Sequence, residues 1–376
     1  MNIGITCYPT YGGSGTVATE LGRNLARRGH KVHFITTALP YRLSDFVENI
    51  FFHEVEVFQY PLFDYAPYSL SLASKMSQVA LREELDLLHV HYAVPHATSA
   101  YLAKKILEKR KQLPVITTLH GTDITLVGTD QSYYDITRFS IEESDAVTAV
   151  SSYLKDQTLI RFEIEKPIEV IPNFLDPERF KPEIHLNRDC LVSPGEKVLM
   201  HISNFRPVKR IPDIIEVFEG VARRMKARLL LVGAGPEKEH IRSLAEKKGL
   251  TDSITFLGRQ DDVSTIIPCA DLYLLLSEHE SFGLTALEAM SCQVPVVGTS
   301  GSGMDGFLGD GAAGMLFPVG DVDAMIDGCV RILEDPALSK VMGERGRTRV
   351  IEEYHEDRIV EQYEELYRDV LRKSKG

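Results

Sequence analysis

Short apolar runs rich in β-branched residues alternate with amphipathic segments along the first part of the chain. The apolar runs predict strands at 2–6, 31–36, 87–91, 115–119 and 146–150. Between the first two strands, Val17, Leu21 and Leu25 share one face of a helix that is predicted over 16–28. Strands that alternate with helices in this way are typical of an α/β fold with a mostly parallel sheet.

The alternation stops over 171–196, a segment with four prolines and no sustained apolar period, and then restarts. Further strands are predicted at 198–202, 227–232, 254–257, 272–276 and 294–298, and helices at 211–224, 236–248 and 284–291. Apolar positions 359, 363, 366 and 370 predict a long C-terminal helix. The sequence therefore predicts two doubly wound domains, 1–170 completed by 356–376, and 197–355, joined by a linker over 171–196.

Composition narrows the class of protein. Apolar residues make up 44% of the chain and charged residues 26%, which is typical of globular proteins. The net charge of −12 argues against nucleic-acid binding by phosphate neutralisation. Five cysteines without a CxxC pair argue against a disulfide framework or a structural zinc. No run reaches the ~18–20 apolar residues that span a bilayer, and the N-terminal segment meets turn residues too early for a signal peptide.

We therefore expect a cytoplasmic protein without stable membrane insertion and without a nucleic-acid partner. The sequence leaves open whether the chain forms a homo-oligomer. A length of 376 residues fits two domains of ordinary size.

A glycine-rich loop, 12–15, lies between the first predicted strand and the first helix. Glycines allow close approach of the backbone, and helix-start amides attract anions, so a phosphate or carboxylate fits here. A tight turn without a ligand is the alternative. The loop is not GxGxxG, and the second strand ends without the acidic residue that holds a ribose, which argues against an NAD-dependent oxidoreductase.

Polar residues also follow the third and fourth predicted strands. His89 and His91 share a strand face, but no carboxylate or cysteine follows at ligand spacing, so no metal site is predicted. The fourth strand runs into 117–123, which combines hydroxyls, the imidazole of His120 and a carboxylate. Such groups at the carboxyl edge of a parallel sheet predict ligand contacts. Arg138 can bind a ligand carboxylate or can be a surface cation.

Two segments of the second half combine charged residues with a strand–helix junction. Segment 203–210 has three cations in five residues, Arg206, Lys209 and Arg210, which can neutralise a diphosphate or form a solvated cluster. Glu280 precedes the helix at 284–291, and Glu288 lies within it; their carboxylates can accept hydrogen bonds from ribose and sugar hydroxyls. Segment 233–235 lacks a third glycine and is interpreted as a turn and helix start.

Together these segments resemble the retaining glycosyltransferases of family 4, over essentially the full chain. The resemblance rests on 12–15, 120–123, 171–174, the Lys209 loop and the E-x7-E pair Glu280/Glu288. Segments 4–9, 91–96, 117–123 and 204–210 are similar, more narrowly, to members that glycosylate L-malate in bacillithiol biosynthesis. The resemblance implies the GT-B fold, in which two Rossmann-like domains face each other across a cleft.

The same resemblance implies that N-acetylglucosamine passes from UDP-N-acetylglucosamine to the hydroxyl of L-malate with retention, without a metal or other cofactor. The implied catalytic residues are His120, Arg206, Lys209 and Glu280. The implied donor-binding residues are Gly13, Asn204, Arg206, Lys209, Arg259, Gln260, Glu280, Ser281, Phe282, Gly283, Leu284 and Glu288. The implied acceptor-binding residues are Ser14, Tyr92, Thr118 and Arg138. No side-chain nucleophile is expected.

Two positions depart from the family pattern. Asn204 stands where many members have an arginine, and Gly306 stands where an acidic residue is expected, with Asp305 beside it. The sequence leaves two alternatives open: a family 4 enzyme that uses another soluble or lipid acceptor, and a non-catalytic protein that binds a nucleotide sugar.

Overall fold

The structure, a computed structural model, describes residues 1–10, 12–40, 42–43, 45–58, 65–125, 127, 130–183, 188 and 191–374. The strands of the first part are β1 (Asn2–Thr6), β2 (Lys31–Thr36), β3 (Ile50–Glu54), β4 (Leu87–His91), β5 (Val115–Leu119), β6 (Ala146–Ala149) and β7 (Ile168–Val170). Those of the second part are β8 (Lys197–Ser203), β9 (Ala227–Gly233), β10 (Ile254–Gly258), β11 (Leu272–Leu275), β12 (Val296–Thr299) and β13 (Gly314–Phe317).

Helices connect these strands. The first part has α1 (Gly13–Arg27), α2 (Tyr68–Arg82), α3 (Thr98–Leu107), α4 (Thr122–Thr125), α5 (Gln131–Glu142) and α6 (Ser152–Phe162), with a π-helical turn at Ala93–Ala97. The second part has α7 (Ile211–Ala222), α8 (Lys238–Lys247), α9 (Leu284–Ser291), α10 (Asp305–Leu308), α11 (Val322–Glu334), α12 (Pro336–Glu353) and α13 (Glu356–Ser374), with 3-10 turns at Pro207–Lys209, Thr251–Ser253 and Ile267–Cys269.

Both sheets are parallel, and their strand orders reverse in the middle. The first sheet has the order β3-β2-β1-β4-β5-β6-β7, and the second has the order β10-β9-β8-β11-β12-β13. The reversals lie between β1 and β4 and between β8 and β11. In doubly wound sheets, ligands bind outside the carboxyl ends of the strands at such a reversal. Two candidate sites are thereby located, one for each sheet.

Three strands that the hydrophobic pattern did not predict, β3, β7 and β13, all lie at a sheet edge. In β3, Phe51 and Phe52 are exposed, and β7 has only three residues. The predicted strands are mostly central ones; β4 is buried at every position, for example. A strand that is covered on both faces needs a continuous apolar run, whereas an edge strand does not.

The described chain forms two compact units: Met1–Asn173 with the segment that begins at Glu356, and Phe174–His355. The segment predicted as a linker therefore belongs, from Phe174 onward, to the second unit. The Leu175 amide donates to the carbonyl of Tyr354 at 3.2 Å, and Arg347 donates to the carbonyl of Phe180 at 3.0 Å. Prolines interrupt helix and strand patterns, but they do not prevent the segment from packing. None of the helices among the described residues is both long and apolar enough to span a bilayer.

The C-terminal helix α13 packs against α1 in the first unit. Its Tyr363 and Tyr367 side chains are fully buried. Its Glu364 carboxylate is also buried, and it accepts hydrogen bonds from Nε2 of His30 at 2.6 Å and from Nη1 of Arg28 at 3.2 Å. Burial alone raises the pKa of Glu364, but the hydrogen bond from His30 and the charge of Arg28 together lower it below its usual value.

Replacement of Glu364 by glutamine is expected to lower the unfolding free energy of the first unit by about 1–2 kcal/mol. Glutamine keeps the shape of the side chain but removes the negative charge that accepts the hydrogen bonds from His30 and Arg28. Urea unfolding near neutral pH measures the change. Glu361→Gln, an exposed position on the same helix, is the matched control. Equal effects of the two substitutions would contradict a specific role for the buried carboxylate.

Candidate active site

The carboxyl ends of β1, β4 and β5 carry the polar residues of the first unit. These three strands are neighbours in the sheet. Helix α1 begins at Gly13 after β1, the π-helical turn Ala93–Ala97 follows β4, and α4 follows β5. Gly13 is exposed in the first turn of α1, where backbone amides lack helical partners. This edge can therefore offer amides as well as side chains to a ligand.

Ser14, Tyr92 and His120, three of the predicted site residues, come together at this edge. The Tyr92 hydroxyl donates to Oγ of Ser14 at 2.7 Å. The ring centroids of Tyr92 and His120 are 5.4 Å apart, and Tyr8 packs on Tyr92 at 5.3 Å. Burial raises the pKa of Tyr92 to about 12, so its hydroxyl keeps its proton at neutral pH. These hydroxyls and the imidazole can bind an oxygen-rich ligand.

Asp123 joins the loops that follow β4 and β5. Its carboxylate is buried and accepts hydrogen bonds from the amides of Ala93 at 3.0 Å and Gly121 at 2.9 Å. Burial raises its pKa, although these backbone hydrogen bonds oppose the rise. Asp123 therefore organises the site rather than facing a ligand.

Thr118, which is predicted to bind the acceptor, has a side chain that already makes contacts within the protein. It is fully buried, and its hydroxyl lies 2.7 Å from Nε2 of His89 and 2.7 Å from Oγ1 of Thr148. Strand alternation places Thr118 on the same sheet face as His89, beneath the edge, so its hydroxyl is already engaged. Thr118 thus supports His89, and its acceptor-binding role stays a prediction.

Arg138 lies on α5 and keeps a partly exposed guanidinium. Its Nη1 is 3.9 Å from the Glu163 carboxylate, and Nη2 donates weakly to the Glu163 carbonyl at 3.5 Å. The structure gives it no contact with Ser14 or Tyr92. Its loose pairing leaves the cation available to a ligand carboxylate.

Six histidines of the first unit have lowered pKa values because of burial, and four of them lie at this edge of the sheet. The pKa falls to about 3 for His89 and His120 and to about 4 for His96, and it lies well below the usual value for His91. Neighbouring imidazoles lower it further for His89, His91 and His120. All four rings are therefore neutral at physiological pH.

The unfolding free energy of the first unit is accordingly expected to fall as pH drops from about 6.5 towards 5. Histidines of the unfolded chain take up protons near pH 6.5, whereas the folded rings do not. Their contribution is fully present above that pH and is lost progressively below it. Urea midpoints between pH 7 and 5 should correspond to an uptake of several protons on unfolding, because His33 and His53, whose pKa values are also lowered, add to these four rings. A flat profile between pH 7 and 5 would contradict the prediction.

Lys209 and Glu280 form the centre of the candidate site in the second unit. Lys209 ends the 3-10 turn after β8, and Glu280 follows β11, so the two flank the reversal of the strand order. Nζ of Lys209 donates to Oε2 of Glu280 at 2.8 Å, and the Ser277 hydroxyl donates to the same oxygen at 3.2 Å. Both charged side chains are mostly buried. A cation and a carboxylate are thus held together where an anionic nucleotide and a sugar can bind.

The glycine segment after β9 supports the loop that precedes Lys209. A Cβ atom on Gly233 would lie 1.9 Å from the carbonyl oxygen of Ser203, and one on Gly235 would lie 1.9 Å from that of Asn204. Interpreting 233–235 only as a turn and helix start missed this contact. Glycine is required there because the two backbones touch.

His201 also supports this loop, and sequence reasoning missed it. It is fully buried on β8, and its Nδ1 donates to the carbonyl of Leu274 at 2.9 Å. Its Nε2 therefore accepts from the Ser203 hydroxyl at 2.8 Å. Burial lowers the pKa of His201 to about 4. A histidine inside an apolar strand has no sequence signature that separates it from other core residues.

Glu288 and Phe282 are both buried, but only Glu288 has a side chain that can accept hydrogen bonds from a ligand. Glu288 lies in the second turn of α9 and is 5% exposed. Phe282 packs on Phe307 and Tyr354, with ring centroids 5.4 and 6.0 Å apart, so its side chain belongs to the core. Any contact of Phe282 with a ligand is therefore left to its backbone.

The remaining predicted donor residues lie at the same edge of the second sheet. Asn204 and Arg206 are exposed on either side of the buried Phe205, and within the described residues Arg206 makes no ion pair. Arg259 is about half exposed after β10, and the side-chain amide of Gln260 donates to the carbonyl of Leu257 at 2.7 Å. Ser281, Gly283 and Leu284 complete the junction that leads into α9.

The loop around Gly306 shows what lies where the family pattern expects an acidic residue. The Asp305 carboxylate accepts hydrogen bonds from the amides of Gly301 at 2.9 Å and Ser302 at 3.3 Å, so it holds its own loop. Gly306 is exposed in α10, and a Cβ there would meet nothing within 4 Å. An acidic side chain at 306 is therefore sterically allowed, and Asp305 is occupied in the loop.

Comparison with known proteins decides the family. The model described as Glycosyltransferase Family 4 matches residues 11–179, and the one described as Glycosyl transferases group 1 matches residues 186–349. The N-acetyl-alpha-D-glucosaminyl L-malate synthase of Bacillus anthracis is 50% identical, over 100% of this chain and 98% of its own. The chain belongs to glycosyltransferase family 4. The prediction that it is a hexosyltransferase is thereby confirmed.

Solved structures confirm the fold of this glycosyltransferase. The sucrose-phosphate synthase of Thermosynechococcus elongatus superposes with a TM-score of 0.82 at 21% identity, covering 99% of each chain. The Anabaena HepE protein in complex with UDP and glucose superposes with a TM-score of 0.83 at 18% identity, covering 97% of this chain and 99% of that one. The predicted GT-B class of two parallel-sheet α/β domains is confirmed.

The described part of this glycosyltransferase contains no group of three or more histidine, cysteine or acidic side chains that could hold a metal ion. The described cysteines, Cys7, Cys269, Cys292 and Cys329, are buried thiols. Burial raises the pKa of each of them. None is therefore a candidate nucleophile, because the reactive form of cysteine is the thiolate.

Proposed function

We propose that this glycosyltransferase transfers N-acetylglucosamine from UDP-N-acetylglucosamine to the hydroxyl of L-malate, with retention at the anomeric carbon and release of UDP. The 50% identity along the whole chain to the malate synthase of Bacillus anthracis carries the proposal. The Lys209–Glu280 pair and the Ser14–Tyr92 pair supply groups suited to the two substrates. We place the reaction in the cytoplasm, where unpaired thiols persist.

The donor is proposed to bind at the carboxyl edge of the second sheet. The Lys209 ammonium, joined by Arg206, would bind the diphosphate and stabilise its growing negative charge as the glycosidic bond breaks. Binding of the diphosphate to Lys209 would release Glu280 to accept hydrogen bonds from the sugar hydroxyls. The buried carboxylate of Glu288 would hold the ribose diol, and Arg259 with Gln260 would lie beside the uracil.

L-malate is proposed to bind at the carboxyl edge of the first sheet. Its two carboxylates need several donors, and the Ser14 hydroxyl, the first-turn amides of α1 and Tyr92 offer them. Arg138 is proposed to bind one carboxylate as a planar fork, which its loose contact with Glu163 permits. His120 would contact the donor sugar.

The proposed chemistry needs no protein nucleophile. The malate hydroxyl oxygen attacks the anomeric carbon on the face from which UDP leaves, while the bond to the β-phosphate oxygen breaks. The departing phosphate oxygen takes the hydroxyl proton, so atoms and charge balance. The side chains of Lys209 and Arg206 stabilise this oxygen in the transition state more than in the ground state, which is how they accelerate the step.

The test is UDP release by the purified chain from UDP-N-acetylglucosamine with L-malate, D-malate, inositol phosphate or no acceptor. We expect release that depends on L-malate, and an α-configured product by NMR. Release with equal rates for all acceptors, or only without L-malate, would refute the acceptor. Tight UDP-N-acetylglucosamine binding without turnover would favour a non-catalytic protein.

A further inference from the structure

His91 and His120 form a hydrogen bond between two imidazole rings. Nδ1 of His91 lies 2.8 Å from Nε2 of His120, and the ring centroids are 5.0 Å apart. His91 is fully buried at the end of β4, whereas His120 is partly exposed. At this distance one nitrogen must donate and the other must accept. The direction of this bond decides where both neutral rings carry their single proton.

The two directions leave different atoms unsatisfied. If Nε2–H of His120 donates, His91 must carry its proton on Nε2. That Nε2 is buried and has no hydrogen-bond partner among the described residues. If instead Nδ1–H of His91 donates, the orphaned Nε2 is only an acceptor. A buried unpaired N–H is the rarer and more costly defect, so donation by His91 is favoured.

Neighbouring groups hold the His91 ring in this position. The ring stacks on His89 with centroids 4.5 Å apart. The backbone of His91 is held as well, because Nδ1 of His96 donates to its carbonyl at 2.5 Å. Nε2 of His96 then accepts from the Tyr68 hydroxyl at 3.3 Å. The donor atom of His91 thus has a fixed place relative to His120.

We propose that His91 is a positioning residue that keeps the proton of His120 on Nδ1, so that His120 offers an N–H donor to a hydroxyl oxygen of the bound donor sugar. Within the described residues, Nδ1 of His120 makes no hydrogen bond of its own, and it is not among the buried unpartnered atoms. The inference about the tautomer follows from the geometry of the ligand-free protein, whereas the inference that His120 contacts the sugar rests on the proposed function.

The first test is nitrogen-15 NMR of the ligand-free wild-type chain labelled at histidine, with His120→Gln to assign the signals. We expect a pyrrole-type shift at Nδ1 of His120 and a pyridine-type shift at Nε2. The opposite pattern would overturn the proposal regardless of activity. Failure of the transferase assay with the expected shifts would instead count against the proposed function only.

Two substitutions then test whether His91 causes this preference. His91→Leu removes the donor and should leave His120 as a mixture of tautomers, so that kcat/KM for the donor falls about three- to tenfold. His91→Asn places an amide N–H near the former Nδ1 and should recover most of the single tautomer and of the activity. A structural role alone would not move the tautomer. An unchanged His120 tautomer in His91→Leu would refute the proposal, and if that variant does not fold, the wild-type and His91→Asn spectra still decide.

Discussion

Replacement of Lys209 by methionine is expected to lower kcat/KM for the nucleotide sugar by about 100- to 1,000-fold. Methionine fills a similar volume but carries no charge. The leaving diphosphate then loses a preorganised cation, a change of the size seen when one transition-state donor is removed. The Glu280 carboxylate, 2.8 Å away, also loses its counter-ion and would repel the diphosphate. Steady-state UDP release with varied donor measures the effect.

Lys248→Met is the matched control for this substitution. Lys248 lies in the same unit and pairs with Glu219 at 2.7 Å, and its side chain is about as exposed as that of Lys209. Lys248→Met changes the net charge by the same amount as Lys209→Met, and we expect it to leave turnover normal. The double variant Lys209→Met, Glu280→Gln is compared with Glu280→Gln alone. If the two were equally active, Lys209 would serve only to neutralise Glu280; we expect the double variant to be far less active.

Replacement of Glu288 by glutamine is expected to raise KM for the donor by about 10- to 100-fold, with little change in KM for L-malate. Glu288 is 5% exposed, so hydrogen bonds from the ribose to its carboxylate would form largely away from water. Hydrogen bonds to a charged acceptor are worth about 1.5–3 kcal/mol, which sets this range. Initial rates with each substrate varied in turn separate the two constants.

Arg138→Ala tests the first unit in the same way. We expect the opposite effect on the two constants: KM for L-malate should rise far more than KM for the donor. Because Arg138 contacts Glu163 only loosely, its removal should weaken ligand binding and should change the stability of the fold little. Thermal unfolding of both variants checks this. Exchange of the two patterns between Glu288 and Arg138 would refute the assignment of one substrate to each unit.

The alternation of apolar runs and periodic segments was sufficient to predict the central strands of both sheets. Strands β1, β2, β4 and β5 have the predicted bounds, because a strand buried on both faces is largely apolar along its length. The edge strands β3 and β13 were not predicted, because an edge strand does not need a continuous apolar run. The prolines of 171–196 were correctly recognised as a break in periodicity, but packing of this segment on the second unit left no local signal.

The sequence located charged residues at strand ends, but it did not show which of the polar residues nearby are buried. Lys209 and Glu280 meet as their positions after neighbouring strands require. Thr118 and His120 carry the same motif signal, but Thr118 lies within β5, where its buried hydroxyl contacts His89, whereas His120 lies just beyond the end of the strand and is partly exposed. A motif identifies the strand end, but burial at that end decides which side chain is accessible.

By itself, the sequence determined the α/β class through its periodicity, and its motifs indicated the family by resemblance. Only the tertiary structure decided which polar groups are already satisfied within the protein. The His91–His120 bond, the contact of Gly233 with Ser203 and the buried place of Glu364 all join residues far apart in the chain. Such contacts depend on burial and distance, and local sequence specifies neither.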